Sequence, residues 1–343
     1  MCEEATFSSS NGSLFCEPVQ PGYRVVFADS DAIRRVGETP CSAGTYSLGA
    51  EGCSNCADGY AAEASGAAAC TICDAGTVPN TNHTQCARCP EGRFSTTGAV
   101  ECTACVAGRY QPSNSSDTCI ACGAGYYQSA TGSTSCEPAA NGTYASATGQ
   151  ASASPCPAGT YSGASASTSC SDCPAGTWSA EGTKACQTCL GGTYSNAGSD
   201  KCDECTLGTY ADNRGASSCT SCGAGKFQGA AGQTSCEECS KGRAQADTGE
   251  DACDKCAPGE FMSDTGATGC LVCSTEFGKG YSSDEGATAC EQAAEGYYMN
   301  TQTGEPEACT DGIICDEAGA TSEDMELEDG VYKFSRDATS VYS

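Results

Sequence analysis

Pairs of cysteines two residues apart recur along most of this chain, and no other feature limits its fold so tightly. The stretch "CPAGTWSAEGTKACQTC", residues 173–189, opens on Cys173 and closes on the pair Cys186 and Cys189. The next stretch, "CLGGTYSNAGSDKCDEC", does the same from Cys189 to Cys205. Written in rows that begin at the second cysteine of each pair, most of the sequence reads C-x-x-G-x-[YF]-S, a variable tip and x-x-C-x-x-C, with a period of 16 to 17 residues. Each row predicts a short strand, a turn and a second short strand, with Gly or Asn at the tip supplying positive φ. The aromatic two residues after the glycine (Tyr46, Phe94, Tyr110, Tyr127, Trp178 and so on) is expected to be the miniature core of each row.

The composition requires such a covalent frame. Leu, Ile, Val and Phe together number 29, which is too few for a large apolar core to offset the entropy of ordering 343 residues. The 32 cysteines reach the density of disulfide scaffolds. With 44 acidic and 16 basic residues the formal charge is −28, a balance that repels nucleic acid and anionic membranes. A diffuse calcium-binding surface has no D-x-[DN]-x-[DN]-G loop behind it. No apolar run approaches the roughly 20 residues of a membrane span. "MCEEATFSSS" has neither the basic start nor the apolar segment of a secretion signal, so a disulfide-bonded chain is expected to be a mature or truncated form. The last residues carry no apolar lipid-anchor signal.

The pattern of missing cysteines selects the pairing. Ala139 and Ala153, Ala293 and Pro306, and Val19 and Glu38 stand where cysteines are expected. In each case the lost pair is the opening and closing position of one row, never the two members of one C-x-x-C. Closure of each row on itself leaves no orphan. It gives Cys2–Cys16, Cys41–Cys53, Cys56–Cys70, Cys73–Cys86, Cys89–Cys102, Cys105–Cys119, Cys122–Cys136 and Cys156–Cys170. It continues with Cys173–Cys186, Cys189–Cys202, Cys205–Cys219, Cys222–Cys236, Cys239–Cys253, Cys256–Cys270, Cys273–Cys290 and Cys309–Cys315. A loop of about 13 residues is worth on the order of 3 kcal/mol in the chain-entropy model. Zinc ribbons are the strongest rival, since the spacing falls just below theirs, but zinc does not explain the paired losses. A redox role needs one C-x-x-C in a βαβ setting, not a dozen in glycine-rich turns.

No catalytic constellation is visible, and no cofactor or metal is expected. The one histidine, His83, lies inside a sequon at a hairpin tip and reads as a solvated loop residue. N-x-[ST] sequons occur at Asn11, Asn82, Asn114 and Asn141, the first three nine residues after their row's opening cysteine, and they predict N-linked glycosylation.

The rows divide the chain into seven segments. They are 1–16, a cysteine-rich repeat; 17–40, a degenerate cysteine-free one; 41–138, cysteine-rich hairpins; 139–155, cysteine-free; 156–292, cysteine-rich hairpins; 293–315, degenerate; and 316–343, an acidic tail. In 17–40, "YRVVFA" reads as a strand and "DSDAIRRVGE" as a helical turn capped by Asp29 or Ser30. In the tail, Val331, Tyr332 and Phe334 belong to a strand-like run that reads either as a frayed end or as a strand that adds head to tail to a neighbouring molecule.

The stretch "CPAGTYSGASASTSCSDCPAGTWS" resembles the ephrin-receptor-like cysteine-rich repeat, a relative of the growth-factor-receptor and tumour-necrosis-factor-receptor modules. The likeness covers roughly residues 41–315. It implies an elongated, extracellular, non-enzymatic protein of the kind found among secreted and surface proteins of protists. The expected fold is small disulfide-rich β: a linear, solenoid-like rod of about 19 short hairpin repeats. The expected role is a glycosylated structural subunit of a flagellar or ciliary hair or cell-coat fibril of a eukaryotic microbe. Its expected partners are copies of itself and other surface glycoproteins, with no nucleic acid and no direct membrane insertion. The alternatives are a soluble receptor-like ectodomain binding a protein or glycan, and a zinc-bound intracellular array if Met1 is a true start.

Overall fold

Strands of two or three residues are what the cysteine-closed rows build, because each has only a glycine-led turn and a short tip between its cysteines. In a computed structural model the described residues are 6–8, 16–28, 31–49, 52–310, 312–323, 326–327, 332–333 and 341–342. They form twenty two-stranded antiparallel sheets, each joining neighbours in sequence, and one short helix, Cys273–Glu276. A representative hairpin pairs Thr193 with Glu204 and Tyr194 with Asp203. Contacts group the chain into two units. The first is Met1–Pro157, Tyr161–Ser171 and Glu181–Ala185; the second is Ala158–Thr160, Asp172–Ala180 and Cys186–Ser343.

Isolated hairpins of this length are unstable, so neighbouring rows must satisfy one another's backbone. Rows opening at Cys73, Cys89 and Cys105 show how. The Cys89 N–H donates to Gly76 O at 2.9 Å, and the Gly76 N–H donates to Ser95 O at 2.8 Å. The Gly98 N–H at the next tip returns to Cys73 O at 2.9 Å, and the Ser95 N–H reaches Ser116 O at 3.2 Å. Within a row, the Thr77 N–H closes a turn on Asp74 O at 3.0 Å with Gly76 at φ 82°, a type II geometry that favours glycine. The Thr77 hydroxyl donates to the same carbonyl at 2.7 Å.

The buried column is made of opening cysteines and the residue six positions after each. Cys73, Cys89, Cys105 and Cys122 are fully enclosed, as are Ser179 and Ala145. The aromatics expected to form the core are instead half-buried, with Phe261 the exception. Strand alternation explains the correction: with the seventh side chain turned inward, the sixth must turn out.

Residues 17–40 also depart from expectation. Tyr23–Ala28 is a strand as predicted, but Asp31–Pro40 is a strand too, paired from Tyr23 opposite Pro40 to Val26 opposite Gly37. The edge of Tyr23–Ala28 needs hydrogen-bond partners, and a single helical turn would leave them unmade. The proposed caps Asp29 and Ser30 lie outside the described residues. The row that opens at Cys309 continues beyond 315: Ile313–Ile314 pairs with Glu326–Leu327, and the Gly319 N–H donates to Ala293 O at 2.9 Å.

Candidate interaction surface

Fourteen disulfides close rows on themselves, from Cys41–Cys53 to Cys273–Cys290. The fifteenth, Cys309–Cys315, forms as expected but joins the opening cysteine of its row to the seventh position, because that row continues to Glu326–Leu327. Cys16 is also disulfide-bonded, and Cys2 lies outside the described residues. No described cysteine is free, and no three or more metal-ligating side chains converge among the described residues. With the sulfurs inside the column, the surface consists of hairpin tips, turns and the outer faces of short strands.

The seventh position, which the sequence reading passed over, organises the tips. In three of the four rows whose disulfide has a sequence separation of 13 the position is serine tied to the preceding row, Pro79 being the exception: Ser95 Oγ donates to Thr77 O at 3.0 Å and Ser195 Oγ to Thr177 O at 2.9 Å. Several 14-residue rows carry glutamine there. Gln228 Nε2 donates to Ser235 O at 2.7 Å while its Oε1 accepts from the Ala230 N–H at 3.0 Å. Gln111, Gln128 and Gln245 make the same pair of bonds. The glutamine amide reaches across the longer tip, whereas Ser162 in the Cys156–Cys170 row bonds only nearer by, donating to Ala164 O at 3.1 Å. The signal was present in the sequence as a fixed offset from cysteine restricted largely to Ser, Gln and Ala.

The predicted site residues fall on this exterior. Asn82, Asn114 and Asn141 are exposed; Asn11 lies outside the described residues. At the two tips it is the following residue, His83 at φ 55° and Ser115 at φ 61°, that takes the left-handed conformation. His83 is not freely solvated: its Nδ1 lies 2.9 Å from Tyr60 O, where it must donate. Tyr332–Lys333 forms a hairpin with Val341–Tyr342, so this strand already has one partner within the chain, while Val331 and Phe334 lie outside the described residues. Exposed apolar side chains such as Leu48, Val106 and Leu190 are scattered singly.

The charged groups are mainly solvated. The ion pairs Lys201–Asp203 at 3.4 Å and Lys226–Glu238 at 3.5 Å are exposed and contribute little. Arginines beside the turn glycine are used structurally: Arg93 and Arg109 donate to the carbonyls of Cys102 and Cys119 at 2.8 and 2.9 Å. Two carboxylates act across a hairpin. Glu307 accepts hydrogen bonds from the Tyr298 hydroxyl and from Asn300 Nδ2, which hold its carboxyl below its usual range. A hydrogen bond to Glu137, reinforced by burial, raises the Tyr127 phenol. The recess lined by Ser283, Asp284, Thr288, Glu291 and Gln292 is shallow and polar.

Hairpins stacked through their backbones, each stapled by its own disulfide, define a cysteine-rich repeat array. Residues 92–138, 176–218, 192–231 and 208–249 match the family model described as tyrosine-protein kinase ephrin type A/B receptor-like, and these matches together with the disulfides support a cysteine-rich, receptor-like repeat array. No curated protein matches the chain. Repeats of this class, with disulfides throughout, mark an extracellular receptor-like or structural ectodomain, and no described helix is long and apolar enough to cross a membrane.

Proposed function

We propose that this chain is a structural protein of the cell exterior, a self-assembling subunit of a filament or surface fibril such as a flagellar or ciliary hair. The observation that carries the reading is the row-to-row ladder, which is independent of row-specific chemistry. The Ala139 N–H donates to Gly125 O at 2.8 Å and Ala139 O accepts from the Ala166 N–H at 2.8 Å, with no cysteine in the row. Cys122 makes the same two bonds, to Gly108 at 2.9 Å and from Gly149 at 2.7 Å. A one-dimensional ladder of this kind asks for a partner row on each side, which an end row finds in a capping segment or in a second copy. Disulfide closure gives resistance to proteases without a large core, as an exposed fibril requires. Negative-stain electron microscopy of the non-reduced protein over a range of concentrations tests the proposal. Regular fibres that grow with concentration are expected; single particles at every concentration overturn it.

A second reading, a soluble receptor-like ectodomain for a protein or glycan ligand, is favoured by the family description and by large apolar side chains exposed in only some rows, among them Leu48, Val106 and Leu190. It predicts a monomer whose rows differ in importance.

A further inference from the structure

The sequons are unevenly distributed: all four precede residue 142, and none occurs in 142–343. Of these, Asn82, Asn114 and Asn141 fall among the described residues, and all three lie in the first of the two contact units. We infer that N-linked oligosaccharide is carried at Asn82, Asn114 and Asn141, and that the second unit is presented without it. The inference rests on the extracellular part of the functional reading, not on self-assembly. Asn11 enters no part of it.

Three observations support the inference. First, all three asparagines are exposed at the ends of their hairpins, Asn82 and Asn114 at tips and Asn141 immediately before the turn glycine Gly142. Second, these rows use the backbone inward and leave the side chain out. A Cβ on Gly44 would stand 2.2 Å from Asn82 O, so that carbonyl faces the array. Two of the three sequon hydroxyls are likewise held at the surface of their own turns: Thr143 Oγ1 donates to Ala140 O at 2.8 Å and Ser116 Oγ to Ser113 O at 3.2 Å, while that of Thr84 accepts from Asn80 Nδ2 at 2.8 Å. Third, asparagines that hold the fold together are not in sequons. Asn80 spends its amide on Thr84, donating to Oγ1 at 2.8 Å and accepting from the N–H at 2.8 Å, and Asn300 donates to Glu307 at 2.7 Å. A sugar on Asn80 or Asn300 would break a hairpin; on Asn82, Asn114 or Asn141 it projects into solvent. In the transfer, the asparagine Nδ2–C1 bond forms as the sugar's C1–O bond to a lipid pyrophosphate carrier breaks. The amide gives up one proton and nothing is oxidised or reduced.

The test expresses the full chain behind a cleavable secretion signal in an N-glycosylating eukaryotic host, so that entry into the oxidising pathway does not depend on the chain. Protein from medium and cells is treated with an amidase that releases N-glycans in heavy-oxygen water, then mapped by peptide mass. The expected result is labelled aspartate at positions 82, 114 and 141, with every peptide from 186–343 unmodified. Asn82→Gln, Asn114→Gln and Asn141→Gln each remove one glycan mass and leave the cysteines fully oxidised. Recovery of any of the three sites mainly unmodified overturns the inference. Electron microscopy reads assembly separately: fibres built from unglycosylated chains refute this inference alone, and glycosylated chains that never assemble refute only the filament.

Discussion

Gly176 lies against the carbonyl of Gly215 two rows further on, so close that a Cβ built on Gly176 would stand 2.0 Å from that oxygen. The same approach joins Gly192 to Gly232 at 2.0 Å and Gly208 to Gly249 at 1.8 Å. The turn glycine thus serves both a left-handed backbone, φ 82° at Gly176, and the seating of the next row but one. Gly176→Ala is expected to destabilise the disulfide-intact protein by about 2–4 kcal/mol, adding left-handed strain to a backbone clash. Gly223, with nothing within 4 Å of a built Cβ, supplies the control, and Gly223→Ala should shift stability by no more than about 0.5 kcal/mol. Guanidinium midpoints under non-reducing conditions separate the two.

Loss of a whole bridge should be tolerated where loss of a C-x-x-C is not. Cys189→Ala with Cys202→Ala recreates the cysteine-free arrangement of the Ala139 row, and it should fold with no free thiol and a loss of about 3 kcal/mol. Cys186→Ala with Cys189→Ala strands Cys173 and Cys202 in different rows. That variant should show reactive thiols or disulfide-linked oligomers by thiol labelling and non-reducing gels. Equal behaviour of the two double variants would contradict row-by-row closure.

Buried glutamine amides should matter more than their exposed row tips suggest. Gln228→Ala leaves Ser235 O and the Ala230 N–H without their shared partner, at an expected cost of about 1–3 kcal/mol. Amide exchange at Ala230 should accelerate, while amides of distant rows keep their protection.

Acid should loosen the cysteine-free hairpin that contains Tyr297–Met299 and Pro306–Ala308. Glu307 has a lowered folded-state pKa because Tyr298 and Asn300 donate to its ionised form. Its contribution is therefore present above the unfolded carboxylate value of about 4.3 and is lost as pH falls through the lower folded value. Exchange at Tyr298 and Met299 should rise across that window in the native protein, whereas Glu307→Gln should flatten the dependence. At alkaline pH the sign reverses for Tyr127: its raised phenol contributes below the unfolded value of about 10 and loses that contribution as pH rises through the folded one.

Much of the fold is legible in spacing alone. The offsets between Cys173, Gly176 and Cys186 dictate a turn, a strand pair and a closing bridge, because each step is local and covalent. The joint absence of cysteines at 139 and 153 reads as one missing bridge, since closure of each row on itself leaves both neighbours, Cys136 and Cys156, with partners in their own rows. Local pattern could not identify what fills the column. The aromatic at 194 is the larger apolar group, yet Ser195 is enclosed because alternation and the ladder turn it inward. Residues 31–40 carry enough charge to read as a helical turn, and only the unpaired edge of Tyr23–Ala28 makes them a strand.

The sequence by itself determined the repeat, its disulfide closure, its glycine turns and the positions of its sequons, all of them consequences of residues within one row. Tertiary structure alone decided how rows hold each other. The Gly76 N–H finds Ser95, the Cys73 carbonyl finds Gly98, and Gly76 packs beneath Ser115. These contacts join backbone groups that every residue carries, so no side-chain pattern announces them, and they appear only when one row is laid against the next.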